Sequence, residues 1–504
     1  MVSDSTRPMH PPRTPLATLA EWLGADLRGD AAGVEVTGVS LSSQRIRPGD
    51  LYAALPGTRA HGIDFADSAV SSGAIAVLTD PAGAEQTGVD VPLLVVERPR
   101  ELLGRLAARV YGDPAASMRM IGVTGTQGKT TTTRLAESGL ERAGVRAAVI
   151  GTVGTRVAGA DVKTSLTTPE APDLHGLFAV MRERDVAVCA MEVSSHALVM
   201  GRVDGVVFDV AVFLNLGRDH LDFHRDVDDY FDAKASLFTP ERARLGLTNL
   251  DDEHGRLLLE RATIPMRTFS TERPDADWRV SDVQLSAVGS AFVITTPAGE
   301  RISAGCPLPG DFNVSNTLAA VAAAGEAGLD PALVAAGIAD GGGVPGRLER
   351  VDAGQDFVVV VDYAHKPDAV AAAIRTLRPL TDGQVIVVLG AGGDRDPGKR
   401  PIMAEIAAGA ADVFIVTDDN PRTEDPAAIR AAMLDGVTAP RAEVVEIGDR
   451  RTAIREAVRR ARPGDIVLVA GKGHETGQEI HGVVHPFDDR EVVREELASR
   501  TAER

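Results

Sequence analysis

Cysteine is nearly absent. Only Cys189, in the apolar run VAVCAMEV, and Cys306, in AGCPLPG, occur among 504 residues, and they are too far apart to match a metal-ligand spacing. Both are predicted to be reduced thiols, which excludes a disulfide-stapled scaffold. Long apolar runs are missing too: even the segment 206–216 is broken by Asp209, far short of the roughly 20 residues needed to span a bilayer. The opening stretch MVSDSTRPMHPPRTP has no apolar core of the kind a signal peptide needs, and its polar, proline-rich composition predicts a flexible tail over 1–15. A cytoplasmic protein without membrane insertion is expected. There is no surplus of positive charge: 72 acidic against 53 basic residues give −19, which argues against a nucleic-acid partner. A phosphate-bearing small molecule is not excluded, because one glycine-rich loop with a few basic groups can bind it locally.

What is present is an ordinary globular composition, 44% hydrophobic and 25% charged, without a solenoid-like repeat. At roughly 150 residues per domain the length suggests about three domains. Short strands are predicted in VEVTGVSL, DLYAAL, AIAVLTD and PLLVVE, separated by turns containing Gly49, Gly57 and Gly73, which marks 1–97 as a small N-terminal α/β domain. From Met118 the pattern becomes strand MRMIGVTG, loop GTQGKTT and a helix ending near Gly144. Nearly all-apolar strands AAVIGTV, VAVCAMEVS and DVAVFLNL follow, as expected of a parallel sheet covered on both faces, so 98–341 is read as a doubly wound central domain. After the joint GGGVPGR at 341–347, a hinge or a plain linker, five further strands end in DYAH, GGDRD, DDNPR, AEVVEI and GKGHE. The region 342–504 is therefore predicted to be a second open parallel sheet, with ligands beyond the carboxyl ends of its strands.

The loop from Gly125 to Thr131, comprising Gly125, Thr126, Gln127, Gly128, Lys129, Thr130 and Thr131, lies between a strand and a helix, where small residues expose backbone N–H groups to phosphate oxygens. Lys129 is expected to reach the β and γ phosphates and Thr130 to hold Mg²⁺. Val123 stands where the usual phosphate-loop pattern has its first glycine. Glu192 ends the apolar strand in MEVSS, and a buried carboxylate there is costly unless paired or metal-bound, which makes it a candidate Mg²⁺ ligand beside Thr130. By composition alone, His220 in GRDHLD reads as a turn histidine and Lys234 in DYFDAKASLF as a solvated helix lysine.

With these segments in order, from LSS at 41–43 through TGTQGKTTTT, TTPE, MEVSSHAL, NLGRDHLDFH, DYFDAKASLF, PGRLE, DYAHKPDA, GGDRD, TDDNPRTEDP and AGKGHE, nearly the whole chain resembles the Mur ligases, and within them the members that add the third peptide residue. The resemblance implies three α/β domains: an N-terminal one for the UDP-linked substrate, a central phosphate-loop one for ATP, and a C-terminal Rossmann-like one for the amino acid. It implies an ATP- and Mg²⁺-dependent amide ligase, a monomer, that adds diaminopimelate to UDP-N-acetylmuramoyl-L-alanyl-D-glutamate. It further implies that His220 helps hold a second Mg²⁺, that Lys234 is carbamylated to support Mg²⁺, and that Asn313, Arg347 and Asp362 contact ATP. Leu41, Ser43, Thr167, Thr168, Ser194 and Arg202 match positions that contact the UDP-linked substrate. Two departures stand out: Gln127 replaces a common asparagine, and Met200 replaces a glutamine that touches that substrate.

Within the resemblance, the segment DDNPR matches the members that take diaminopimelate, and so implies diaminopimelate rather than lysine as the incoming amino acid. The physical difference is one extra carboxylate, which Arg422 can grip with two parallel hydrogen bonds. The resemblance further implies that Asp419, Asn420 and Pro421 line the same site, that Arg395 adds positive charge and that Gly471 and Glu475 receive an ammonium group. The same segment also reads as a helix start, with Asp425 as cap. A lysine-adding relative, a folate polyglutamylating ligase and, from another class, a nucleotide-dependent switch are the competing readings.

Overall fold

The computed structural model describes residues 6–164 and 166–503 and divides into two compact units, Met1–Arg279 with Thr295–Glu300 and Leu318–Gly337, and Val280–Ile294 with Arg301–Thr317 and Ile338–Arg504. The first unit holds the first two sheets expected from the sequence. Its N-terminal sheet runs in the spatial order Asp26–Arg28, Leu93–Val95, Ala76–Thr79, Asp50–Ala53, Gly38–Ser40, parallel except at the first pairing. Leu51, Ala53 and Leu55 face one core, with Leu16, Leu19, Leu103 and Leu106, while Tyr52 and Ala54 face another with Ile63 and Ala69. That period of two, apolar on both sides, is why these strands read as continuous hydrophobic runs.

Residues 6–15 depart from the flexible tail that their composition predicts; residues 1–5 of that tail lie outside the described residues. Arg7 donates to Asp50 at 2.8 and 3.1 Å and to the Val39 carbonyl at 2.8 Å. Thr6 Oγ1 donates to Asp173 at 3.2 Å, the backbone N–H groups of Met9 and His10 donate to Glu183, and Thr14–Pro15 pairs with Glu35–Val36. The cause is Asp50, which is 2% exposed and needs a cation if its charge is to lie so deep. Two glycines make room for the segment: a Cβ on Gly38 would collide with Arg7 and Asp50, and one on Gly176 with the Thr6 carbonyl.

The central sheet places Arg119–Thr124 between Val188–Glu192 and Phe208–Phe213, with Ala147–Ile150 beyond the first and Ala243–Asn249 and Met266–Ser270 beyond the second, all parallel. Phe178, Met191, Phe208 and Phe213 fill its core. The chain leaves Arg119–Thr124 for one side of the sheet and later crosses to the other. The loops after residues 124, 192 and 213 therefore open at the same carboxyl-end crevice.

In the second unit, six strands run Glu349–Arg350, Val358–Asp362, Ile466–Ala470, Val385–Leu389, Val413–Val416, Glu443–Glu446, parallel after the first. Again both faces are covered: Val385, Val387 and Leu389 pack with Met403 and Phe414, and Ile386 and Val388 with Ile454 and Val493. A fully buried ion pair, Arg450 with Asp489 at 2.7 Å, joins the helices Arg450–Arg460 and Asp489–Glu503. A hairpin of Gly477–Ile480 and Val483–Pro486, not anticipated from the sequence, follows GKGHE. Among the described residues no helix is long and apolar enough to cross a membrane.

Candidate active site

The phosphate loop forms as predicted between Arg119–Thr124 and the helix Lys129–Arg142, and Gly125 and Gly128 take φ of +150° and +86°, which side chains resist. Asn215 braces it: its Oδ1 accepts from the N–H groups of Thr126 and Gln127 at 3.2 and 2.9 Å, and its Nδ2 donates to the Gln127 carbonyl at 3.2 Å. Tyr230 adds a hydroxyl contact to Thr126 at 3.2 Å. Neither residue was singled out from the sequence, although Asn215 opens the segment NLGRDHLDFH and Tyr230 lies in DYFDAKASLF.

Two lysines converge on one carbonyl. Lys129 Nζ lies 2.7 Å from the Gly125 oxygen and Lys234 Nζ lies 2.9 Å from the same atom, with Lys234 also 4.5 Å over the Tyr230 ring. Lys234 is 1% exposed, so reading its helix position as solvated does not hold. Burial holds its amine well below the usual lysine range; the Lys129 ammonium pushes it lower still, and Asp219 opposes both. Thr130 and Thr131 are buried in the first turn of the helix.

Glu192 is buried at its strand end and accepts from the Thr152 N–H at 2.7 Å and the Thr152 hydroxyl at 3.2 Å, while a Cβ on Gly151 would collide with it. Thr152 in turn meets Thr167 at 3.0 Å, Thr168 donates to the Glu192 carbonyl at 2.8 Å, and Ser194 caps the helix Ser195–Val199 by accepting from Ala197 N–H. Arg202 donates to Glu170 at 2.8 Å, to the Thr168 carbonyl at 3.4 Å and to Met200 Sδ at 3.5 Å. Thr167, Thr168, Glu192, Ser194 and Arg202 thus form one chain of contacts. Leu41 packs on the N-terminal core, and Ser43 opens the turn Ser43–Arg45, whose Arg45 bonds Asp173 at 2.7 and 2.9 Å.

His220, at φ +54°, lies beside Asp219 and edge-on to His196, with ring centroids 4.9 Å apart. Among the described residues no three His, Cys, Asp or Glu side chains group as a metal cage. A carboxylate and a hydroxyl suit Mg²⁺, which is commonly held by one or two carboxylates together with substrate phosphates, so Thr130 and Glu192 fit that ion without a cage.

In the second unit Asp362 ends its strand, accepting from the N–H groups of Leu348 at 2.7 Å and Ala364 at 2.8 Å. Burial pushes its carboxyl up, and Arg347, stacked 5.0 Å over Tyr363, pulls it back. Asn313 is buried and donates to the Pro309 carbonyl at 2.8 Å.

Asp419, Asn420, Pro421 and Arg422 lie at the end of Val413–Val416, facing the turn with Gly471 and Glu475. A Cβ on Gly471, at φ +117°, would collide with the Asp419 carboxylate, and Asn420 Nδ2 donates to Glu475 at 2.8 Å. Arg422 takes φ +52°, rare for a residue with a side chain, and is pinned from three sides. Its Nη1 donates to the Gly393 carbonyl at 2.6 Å, its Nε pairs with Glu479 at 3.3 Å, and its backbone bridges the hairpin strand at Ile480. Glu479 was not singled out from the sequence. Arg395 is exposed on the neighbouring loop and is not drawn into this cluster. Asp425 caps the helix Pro426–Leu434, as the second reading of DDNPR requires.

A phosphate loop on a doubly wound sheet, joined in one chain to an open parallel sheet with an arginine at its strand ends, is the build of an ATP-dependent ligase. Residues 35–111 match the Mur ligase family catalytic domain, 123–324 the Mur ligase middle domain and 346–473 the Mur ligase glutamate ligase domain. The chain belongs to the Mur ligase family, as its sequence motifs indicated. It is similar to the UDP-N-acetylmuramoyl-L-alanyl-D-glutamate–2,6-diaminopimelate ligases of Streptomyces coelicolor, 55% identical over 97% of this chain and 98% of the relative, and Streptomyces avermitilis, 56% identical over the same shares. A solved structure of a ligase of that name is 34% identical, with a TM-score of 0.70, over 96% of this chain and 99% of the other.

Proposed function

We propose that this chain is an ATP-dependent amide ligase that joins diaminopimelate to UDP-N-acetylmuramoyl-L-alanyl-D-glutamate, a step of peptidoglycan precursor synthesis, acting as a monomer in the cytoplasm. The observation that carries the proposal is the 55% identity, along almost the entire length of both chains, to a ligase named for that reaction.

A carboxylate and an ammonium group do not condense at neutral pH, so the carboxylate must first gain a leaving group. An oxygen of the D-glutamyl carboxylate attacks the γ-phosphorus of ATP, the bond to the β–γ bridging oxygen breaks, and ADP leaves. The deprotonated amine of diaminopimelate then attacks the acyl carbon, and inorganic phosphate departs with the former carboxylate oxygen. The loop 125–131 cradles the phosphates, and Lys129 offsets their charge as they approach. Thr130 and Glu192 would hold Mg²⁺, with His220 and a carbamylated Lys234 supporting a second ion; the metal supplies charge stabilisation at the transferring phosphoryl group. The depressed amine of Lys234 supports carbamylation, since only a neutral amine reacts with carbon dioxide. Asn313, Arg347 and Asp362 serve ATP, while Leu41, Ser43, Thr167, Thr168, Ser194 and Arg202 serve the UDP-linked substrate. Arg422 reads the extra carboxylate of diaminopimelate, Glu475 and Gly471 receive its ammonium group, and Arg395 contributes charge from the exposed loop.

Phosphate release measured with ATP, Mg²⁺ and the UDP-linked dipeptide, with diaminopimelate or lysine added separately, tests this reading. Release is expected only when diaminopimelate is present. Equal release without any amino acid would make the protein a nucleotide-hydrolysing switch, and a preference for lysine would overturn the substrate assignment.

A further inference from the structure

Lys472, the second residue of GKGHE, has no part in the reaction as described, yet it is fully buried. Its Nζ donates to the Gly477 carbonyl at 2.6 Å, to Asn420 Oδ1 at 3.1 Å and to Glu475 Oε2 at 3.4 Å. A lysine ammonium has three hydrogens and no lone pair, so these three acceptors use all it has. The three oxygens come from three segments: the DDNPR loop, the turn after Ile466–Ala470 and the first residue of the hairpin.

We propose that Lys472 is a positioning residue of the amino-acid site, fixing the Asn420 amide and the Glu475 carboxylate in the orientation that receives diaminopimelate; this rests on the diaminopimelate reading of that site. An asparagine amide can be turned either way round, and its neighbours decide which end faces where. Lys472 has only hydrogens to offer, so it demands the carbonyl end. The backbone N–H of Glu479 donates to the same Asn420 oxygen at 2.9 Å and demands the same end. The NH₂ end is thereby turned to Glu475 Oε2, where the Lys472 hydrogen bond also arrives. Glu475, with its side chain one-third exposed, is held from beneath by a buried cation while its outer edge stays accessible to an incoming ammonium group. Without the lysine, the amide loses one of the two donors that fix its sense and Glu475 loses a charged support. The incoming amino acid then meets a carboxylate that must be ordered on binding.

The test is steady-state kinetics of the full chain with Lys472→Met, which keeps the length and removes every donor, and Lys472→Gln, which restores a polar end. Each substrate is varied in turn, and thermal melts monitor folding. The KM for diaminopimelate is expected to rise about tenfold or more in Lys472→Met, the scale of losing a hydrogen bond to a charged group, with partial recovery in Lys472→Gln. The KM values for ATP and the UDP-linked dipeptide should stay within about twofold, a selectivity that a merely structural lysine would not produce. Combining Lys472→Met with Glu475→Gln should raise the diaminopimelate KM no further than the stronger single change, because the lysine acts through that carboxylate. An unchanged diaminopimelate KM, or a rise shared equally by all three substrates, would overturn the proposal. So would failure of both variants to fold, which would make Lys472 a support of the domain and not of the site. Arg422→Ala run in parallel separates the two layers: if it too leaves the diaminopimelate KM unchanged, the substrate reading has failed, whereas a rise there with none at Lys472 removes the positioning role alone.

Discussion

Lys234 in the first unit and Lys472 in the second are buried to almost the same depth, 1% and 0% exposed, and their surroundings are opposite. Lys472 has three oxygen acceptors, one from each of three segments. Among the described residues the hydrogen-bond acceptor of Lys234 is one carbonyl, that of Gly125, which it shares with Lys129; its Nζ also lies over the Tyr230 ring, with Asp219 the opposing charge. A second cation nearby and a single shared acceptor favour loss of the Lys234 proton, whereas a full set of acceptors makes Lys472 a clamp. Depth alone does not decide what a buried amine does; the number of acceptors and the sign of the nearest charge do.

The comparison breaks first at Lys129. Lys129→Ala is expected to cut phosphate release about 10³-fold or more, because it removes a fixed charge from a phosphoryl-transfer site, while leaving the thermal melt unchanged. The loss should be the same whichever amino acid is supplied; a variant keeping a tenth of parental turnover would place that charge elsewhere. Next, Lys234→Ala should lose about 10²- to 10³-fold and regain part of it when a small carboxylate is added to stand in for the carbamate. Parental activity without any additive would remove Lys234 from the chemistry. In the second unit the expected loss is selective: Arg422→Ala should lower kcat/KM for diaminopimelate about 30- to 1,000-fold, corresponding to about 2–4 kcal/mol, and barely alter the weak reaction with lysine. Equal losses for both amino acids would mean that Arg422 serves the hairpin and not a substrate carboxylate.

A third buried base sharpens the point. His175 is fully buried; its Nε2 faces the Asp204 carbonyl at 3.0 Å, and its Nδ1 has no hydrogen-bond partner among the described residues. Burial pulls its imidazole down to about 4, with the Asp204 carbonyl opposing, against about 6.5 for an exposed histidine. Between those values the unfolded chain binds a proton that the folded chain refuses. Stability is therefore unaffected above about pH 6.5 and falls by about 3 kcal/mol as the pH drops to 4. Denaturant titrations of the parent and His175→Leu across that range should show a shallower fall in the variant; superimposable slopes would show that the histidine charges without penalty.

Much of this architecture could be read from the chain because its strands carry the signal locally. Apolar runs such as QVIVVLGAGG and VAVCAMEVS became central parallel strands, and the glycine-rich and DDNPR segments fell at their carboxyl ends. What could not be read depends on residues far apart in sequence. Lys234 sits on a helix, VDDYFDAKA, whose mixed polarity suggests solvent, yet it is buried and its hydrogen-bond acceptor lies 109 residues earlier. Asn215 reaches back 88 residues to brace Gln127. Lys472 and Glu479 acquire their roles through the hairpin, which brings Ile480 beside Arg422, a pairing that no local propensity encodes.

The N-terminal segment carries a consequence for the order in which the protein is made. Arg7 precedes its carboxylate partner by 43 residues, and Thr6 contacts Asp173 across 167 residues. At about 5–20 residues per second, the helix bearing Asp173 is synthesised roughly 10 to 30 seconds after the segment that must dock on it. The small N-terminal sheet, with its Arg7–Asp50 pair, can assemble in the meantime, whereas the Thr6–Asp173 contact must wait for the central domain. The Thr6–Asp173 contact thus joins a segment to a helix made much later, so this seam within the first unit is completed only once the central domain is being synthesised.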